Sequence, residues 1–98
     1  MFIKIEDMGN ESLFRLNDRY KVRDVQGEHI ILKAGNVNST VVGFNETSNY
    51  LWHKLQGREF SLDDVVRLLT DEFDVDADTA RADAAKWLDD MRAQDFLT

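Results

Sequence analysis

The chain has 98 residues, 43% of them hydrophobic and 32% charged, with no cysteine, no proline and a formal net charge of -7. This length fits one small domain with a modest core. The missing cysteines exclude disulfides, thiolate metal sites and cysteine nucleophiles, and no apolar run approaches the ~18 residues a membrane span needs.

The charge is unevenly placed. The first 44 residues balance six basic against six acidic side chains; residues 45–98 hold the other six basic and thirteen acidic ones, and so carry the whole of the -7. Such a surface repels phosphate backbones, whose neutralisation supplies most nucleic-acid affinity. The first ten residues include Glu6 and Asp7 and lack a long apolar stretch, so no secretory signal is predicted and a cytoplasmic location is expected.

In chain order, residues 1–19 form an N-terminal arm or extra strand. Phe2, Ile3 and Ile5, then Leu13, Phe14 and Leu16, supply apolar contacts around a loop at Asn10-Glu11-Ser12. Tyr20 to Val25 alternates as a strand, with Tyr20 and Val22 on one face. Gln26-Gly27-Glu28 is a turn, and His29 to Ala34 returns as a second strand through Ile30, Leu32 and Ala34. After a turn at Gly35-Asn36-Val37-Asn38, the β-branched run Ser39 to Phe44 forms a third strand. Connections this short predict an antiparallel meander, with Val42 and Phe44 on one face and Val41 and Gly43 on the other.

From Phe44 onward the apolar period changes from two to that of a helix. Asn45 caps a first helix that Gly57 ends, with Phe44, Ser48, Leu51, Trp52 and Leu55 sharing one face. Arg58-Glu59-Phe60 connects. Ser61 to Asp64 is a capping-box pattern opening a second helix with the stripe Leu62, Val65, Val66, Leu69 and Phe73. A third helix starts between Asp76 and Thr79 and runs to about Gln94, with Ala80, Ala84, Trp87, Leu88 and Met91 inward; Phe96 and Leu97 fold back onto the core. Three strands followed by three helices make one α+β domain.

Little in this chain points to catalysis. Asp74, Asp76 and Asp78 alternate as at the start of a calcium loop, but Thr79 and Ala85 stand where that loop needs glycine and glutamate; acidic residues at a helix N-terminus explain them better. His29 and His53 lack a local constellation of partners. Asn10, Asn38 and Asn45 begin glycosylation-type triplets that carry no weight without a secretory signal. Trp52 and Trp87 fall on helical stripes and are expected in the core. The remaining feature is the third strand. It sits at the edge of the meander, where open N–H and C=O groups invite another strand and an extended peptide can add. Whether residues 1–19 cover that edge is left open.

The run Phe44-Asn45-Glu46-Thr47-Ser48 through Leu51-Trp52 and Leu55-Gln56-Gly57 resembles the L-N-E-T-A-x-x-I-W-x-L-L-D-G signature of the PqqD family, also called RiPP recognition elements. Leu62, Val65 and Leu69 are similar to that family's second helix, Phe73-Asp74-Val75-Asp76 to its F/Y-D-V-D connector, and Asp83, Trp87, Leu88 and Met91 to its D-V-x-x-F-L-x-x-L segment. The resemblance covers roughly residues 20–97. Phe44, Ser48 and Asp95 depart from it, replacing a leucine, an alanine and a glycine. It implies a winged helix-turn-helix-like fold and a non-catalytic, cofactor-free chaperone. Such a protein binds the leader of a ribosomally made precursor peptide and presents it to a modifying enzyme, such as a radical SAM enzyme, in natural-product biosynthesis. Carried onto this chain, the leader would add along Ser39, Thr40, Val41, Val42 and Gly43. It would also meet a groove wall of Arg81, Ala82, Ala85 and Lys86, with Asp89 nearby. The alternatives are a winged-helix DNA-binding regulator, which the acidic third helix disfavours, and a structural or oligomerisation module, for instance a homodimer made by strand exchange.

Overall fold

Residues 12–34 and 39–98 are described by the computed structural model. Its elements, in order, are β1 (Phe14–Arg15), β2 (Arg23–Val25), β3 (Glu28–Ala34), β4 (Ser39–Phe44), α1 (Glu46–Leu55), β5 (Glu59–Phe60), α2 (Leu62–Glu72) and α3 (Ala77–Ala93). β2, β3 and β4 form an antiparallel sheet in that order, and the three helices follow it. The architecture is therefore the α+β arrangement expected, with β4 as the predicted third strand. The expected segments around Phe2, Ile3, Ile5 and Asn10, and the turn at residues 35–38, lie outside the described residues.

Two short elements differ from the sequence reading. The strand expected from Tyr20 is only Arg23–Val25, although Tyr20 and Val22 still pack against the core. The connector before α2 contains β5, which pairs with β1 through Phe14↔Phe60 and Arg15↔Glu59. Pairs of two residues have no periodicity to read; only the meeting of distant segments makes them strands. Leu16 bridges to Leu97, and Asn17 N–H donates to the Phe96 carbonyl at 2.8 Å. The segment from Arg15 to Asn17 and the C-terminal residues Phe96 to Thr98 are thus closed against each other.

The helix starts follow their capping residues. Asn45 Oδ1 accepts from Ser48 N–H at 2.8 Å. Ser61 and Asp64 exchange the two bonds of a capping box, at 3.2 and 3.0 Å. Asp76 accepts from Thr79 N–H at 2.7 Å, and this bond holds its carboxyl below the usual range. That acceptor role accounts for Asp76 in the alternating aspartates.

The end of α3 explains one departure from the family signature. Asp95 has φ +66°, a left-handed conformation that favours glycine. Its N–H donates to the Arg92 carbonyl at 3.1 Å, and Phe96 N–H donates to Met91 at 2.9 Å. This is the Schellman arrangement, with its apolar contact between Met91 and Phe96 and with aspartate in glycine's place. The turn aims Phe96 into the centre of the core. There it meets Tyr20, Trp52 and Phe44 edge-on, at ring separations of 5.1, 5.7 and 6.0 Å. Ile31, Leu51, Leu55, Phe60 and Val65 are fully buried around it, and Ala80, Ala84, Trp87, Leu88 and Met91 from α3 belong to the same core. No described helix is long and apolar enough to cross a membrane.

Candidate functional site

β4 pairs with β3 from His29↔Phe44 to Ala34↔Ser39, and its other side meets no strand among the described residues. The β2–β3 turn fixes which β4 groups face outward. Gln26 and Gly27 both have positive φ, 53° and 84°, as a type I′ turn requires. In such a turn the Glu28 N–H points back to Val25 across the hairpin. Backbone direction then alternates along β3, so His29, Ile31 and Lys33 face β4. Their partners Phe44, Val42 and Thr40 spend their backbone groups on that ladder. The groups of Ser39, Val41 and Gly43 point away from the sheet and pair with no strand among the described residues.

β4 carries no charge and no proline, the two commonest protections of an exposed edge. Its side chains split by face. Val42 leans on the core and Phe44 is buried, whereas Val41 is 60% exposed beside its register partner Leu32 at 52%.

Between this edge and α3 lies a cavity of about 250 Å³. Val42, Gly43 and Phe44 form its strand wall, Trp87 and Met91 its apolar helix wall, and Asp90 and Gln94 its rim. Trp87 is fixed there, its indole N–H donating to Ser48 Oγ at 3.2 Å. The hydroxyl that departs from the family's alanine thus satisfies a half-buried donor. Lys33, from the core face of β3, donates to the Gln94 carbonyl and places a cation at the C-terminus of α3. At the other end, His29 joins the sheet to α1. Its Nδ1 lies 2.6 Å from Asp24 and its Nε2 3.0 Å from Glu46. The two carboxylates raise its pKa, Asp24 more than Glu46.

The α3 residues on this cavity are Trp87, Asp90, Met91, Ala93 and Gln94, with Asp83 and Lys86 continuing the row toward the helix start. Of the four helix residues expected as a groove wall, Lys86 lies on this flank. Its ammonium is 3.2 Å from Asp90. Arg81 instead pairs with Asp63 of α2 at 3.1 Å, and Ala82 and Ala85 are exposed away from β4. Periodicity identifies the buried stripe, but a stripe has two flanks. At about 100° per residue, positions 81 and 85 fall on one and positions 83, 86 and 90 on the other. Which flank meets the sheet edge depends on how α3 is laid across the sheet. Trp87, Met91 and Ser48 were legible as stripe residues; their second role, facing a cavity, was not. Of Ser39, Thr40, Val41, Val42 and Gly43, the last two line the cavity and Thr40 and Val41 are exposed on the strand.

Among known protein families, residues 28–97 match the model of coenzyme PQQ synthesis protein D, PqqD. No curated protein and no solved structure matches the chain.

Proposed function

This chain belongs to the PqqD family, and from that membership and the edge of β4, unpaired among the described residues, we propose that it is a non-catalytic peptide chaperone. The family supplies accessory proteins rather than catalysts to coenzyme PQQ synthesis. Here the guest is the leader of a ribosomally made precursor peptide, held for a modifying enzyme such as a radical SAM enzyme in the cytoplasm. The leader adds as a strand to β4, bonding to the outward groups of Ser39, Val41 and Gly43. One of its apolar side chains enters the cavity between Val42, Phe44, Trp87 and Met91.

One observation carries this reading: an uncharged edge strand, whose outer side meets no strand among the described residues, lies beside a cavity walled by Val42, Phe44, Trp87 and Met91. Backbone bonds alone would accept any extended segment; the cavity adds selection by side chain. The acidic α3 surface, with Asp83, Asp89 and Asp90 exposed, favours a peptide guest over nucleic acid.

The test is titration of the leader encoded beside this chain's gene, followed by Trp87 fluorescence and by calorimetry. Saturable binding that Val41→Pro weakens and that changes the emission of Trp87, identified with a Trp52→Phe background, supports the proposal. Absence of binding to every co-encoded small peptide overturns it, and a gel shift with duplex DNA that survives moderate salt would replace it with the regulator reading.

A further inference from the structure

The cavity beside β4 does not end where the strand ends. A second cavity of about 260 Å³ shares Ser48, Trp87 and Asp90 with it and extends between α1 and α3 to Thr47, Leu69 and Asp83. A third, of about 150 Å³, shares Thr47, Leu69 and Asp83 with the second and reaches Phe73 and Val75 in the connector before α3. The three form one groove along the same flank of α3, from its last turn to its second. Its far floor is apolar and half-open: Phe73 and Val75 are partly buried and Leu69 is buried.

We infer that the site is bipartite: a guest peptide that pairs with β4 continues past Phe44 as an extended tail along α3 and buries an aliphatic side chain against Leu69, Phe73 and Val75. This rests on the peptide-binding reading and adds the length and chemistry of the guest. From Asp90, which lines both the first and the second cavity, to Asp83 the helix rises about 10 Å at ~1.5 Å per residue. An extended chain covers that with roughly three residues at ~3.3 Å each. With the part that pairs with the five positions Ser39 to Gly43, recognition needs roughly eight consecutive residues. The Trp87 ring, fixed by Ser48, stands between the first and second cavities. It therefore separates two anchor side chains on the guest, one beside β4 and one beyond it. The smallest cavity favours an aliphatic over an aromatic anchor at the far end. Lys86 and Asp90, paired across the rim at 3.2 Å, are exposed, so their mutual hold is weak and either can turn to the guest.

The experiment uses the full chain and a displayed library of random peptides of about 16 residues, longer than the roughly eight positions counted above. The tightest binder is shortened from each end and measured by fluorescence anisotropy. Trimming toward the strand-pairing part from one end should remove a contiguous stretch of roughly three residues whose loss costs about tenfold or more in Kd. Val75→Glu and, independently, Thr47→Arg should reduce the affinity of the full binder to that of the tail-less peptide. Neither should change the affinity of the tail-less peptide. Circular dichroism confirms that each variant is folded. Wild-type affinity for the full binder in both folded variants overturns the bipartite site, as does a binder whose ends are both dispensable. If no binder is selected, or if Val41→Pro leaves binding untouched, the peptide-binding reading itself fails, and with it this extension.

Discussion

Proline at position 41 separates the edge from the sheet. The turn at Gln26-Gly27 and the β3–β4 register place the Val41 N–H on the outer side of β4. Val41→Pro therefore removes a donor to the guest without removing one from the β3 ladder. Its side chain is 60% exposed, so little packing is lost, and proline is tolerated on edge strands when its missing N–H faces solvent. Val42→Pro is the control. It deletes a ladder bond opposite Ile31 and disturbs a side chain packed on the core, at a cost of about 1–3 kcal/mol for the unpaired ladder group before any lost packing. A domain of this size is worth only about 5–15 kcal/mol in total. For binding, one lost backbone bond with a guest carbonyl left unpaired costs about 1–3 kcal/mol, or roughly five- to a hundredfold in Kd. The assay pairs anisotropy of the labelled leader with thermal melts of both variants. Val41→Pro should melt close to wild type and bind weakly, while Val42→Pro should melt far lower. Wild-type affinity in a folded Val41→Pro protein would refute strand addition at β4. A melt as low as that of Val42→Pro would refute the assignment of outward-facing groups.

Other expected outcomes concern the frame around the site. Asp95→Gly should stabilise the protein by about 0.5–1 kcal/mol, because glycine removes the cost of a left-handed Cβ and the hydrogen bond lost, Tyr20 Oη to Asp95 at 3.4 Å, is exposed and long; a lower midpoint in thermal or urea unfolding would contradict this. His29 should make stability depend on pH near neutrality. Its folded pKa is raised above the ordinary 6.5 by Asp24 and Glu46, so the contribution is complete below about 6.5 and is lost as pH climbs through the folded value. Melting temperature should fall between pH 6 and 8 in the wild type by more than in His29→Gln, and equal slopes would count against the clasp. Phe96→Ala removes a fully buried ring that touches Tyr20, Phe44 and Trp52; a loss of about 3–5 kcal/mol is expected by urea denaturation. Ser61→Ala should cost about 1 kcal/mol through the lost capping box of α2, read from the same curves.

The sequence by itself determined the longer elements and the inward face of most of them. Alternation through Val42 and Phe44, and helical spacing through Leu51, Leu55, Leu69 and Leu88, are local consequences of strand and helix geometry; on β3 the alternation of Ile30, Leu32 and Ala34 misleads, because the buried side carries Ile31 while Leu32 is exposed, and only packing against the helices chooses between two apolar faces. Caps such as Asn45 and Ser61 act within one turn. These signals survive in a single chain because each depends on neighbours a few residues away. The tertiary structure decided what depends on distant segments meeting. β1 and β5 exist as strands only through each other. The direction of the backbone groups of β4 follows from a turn two strands earlier and from the pairing between them. Ser48 is a neutral substitution in sequence and becomes Trp87's hydrogen-bond acceptor only when α1 and α3 pack. The choice between Arg81 with Ala85 and Lys86 with Asp90 as the wall of a groove needed the orientation of α3 on the sheet, because both flanks of a helix have the same period. Folding decided which flank carries the cavities that run from β4 to α1.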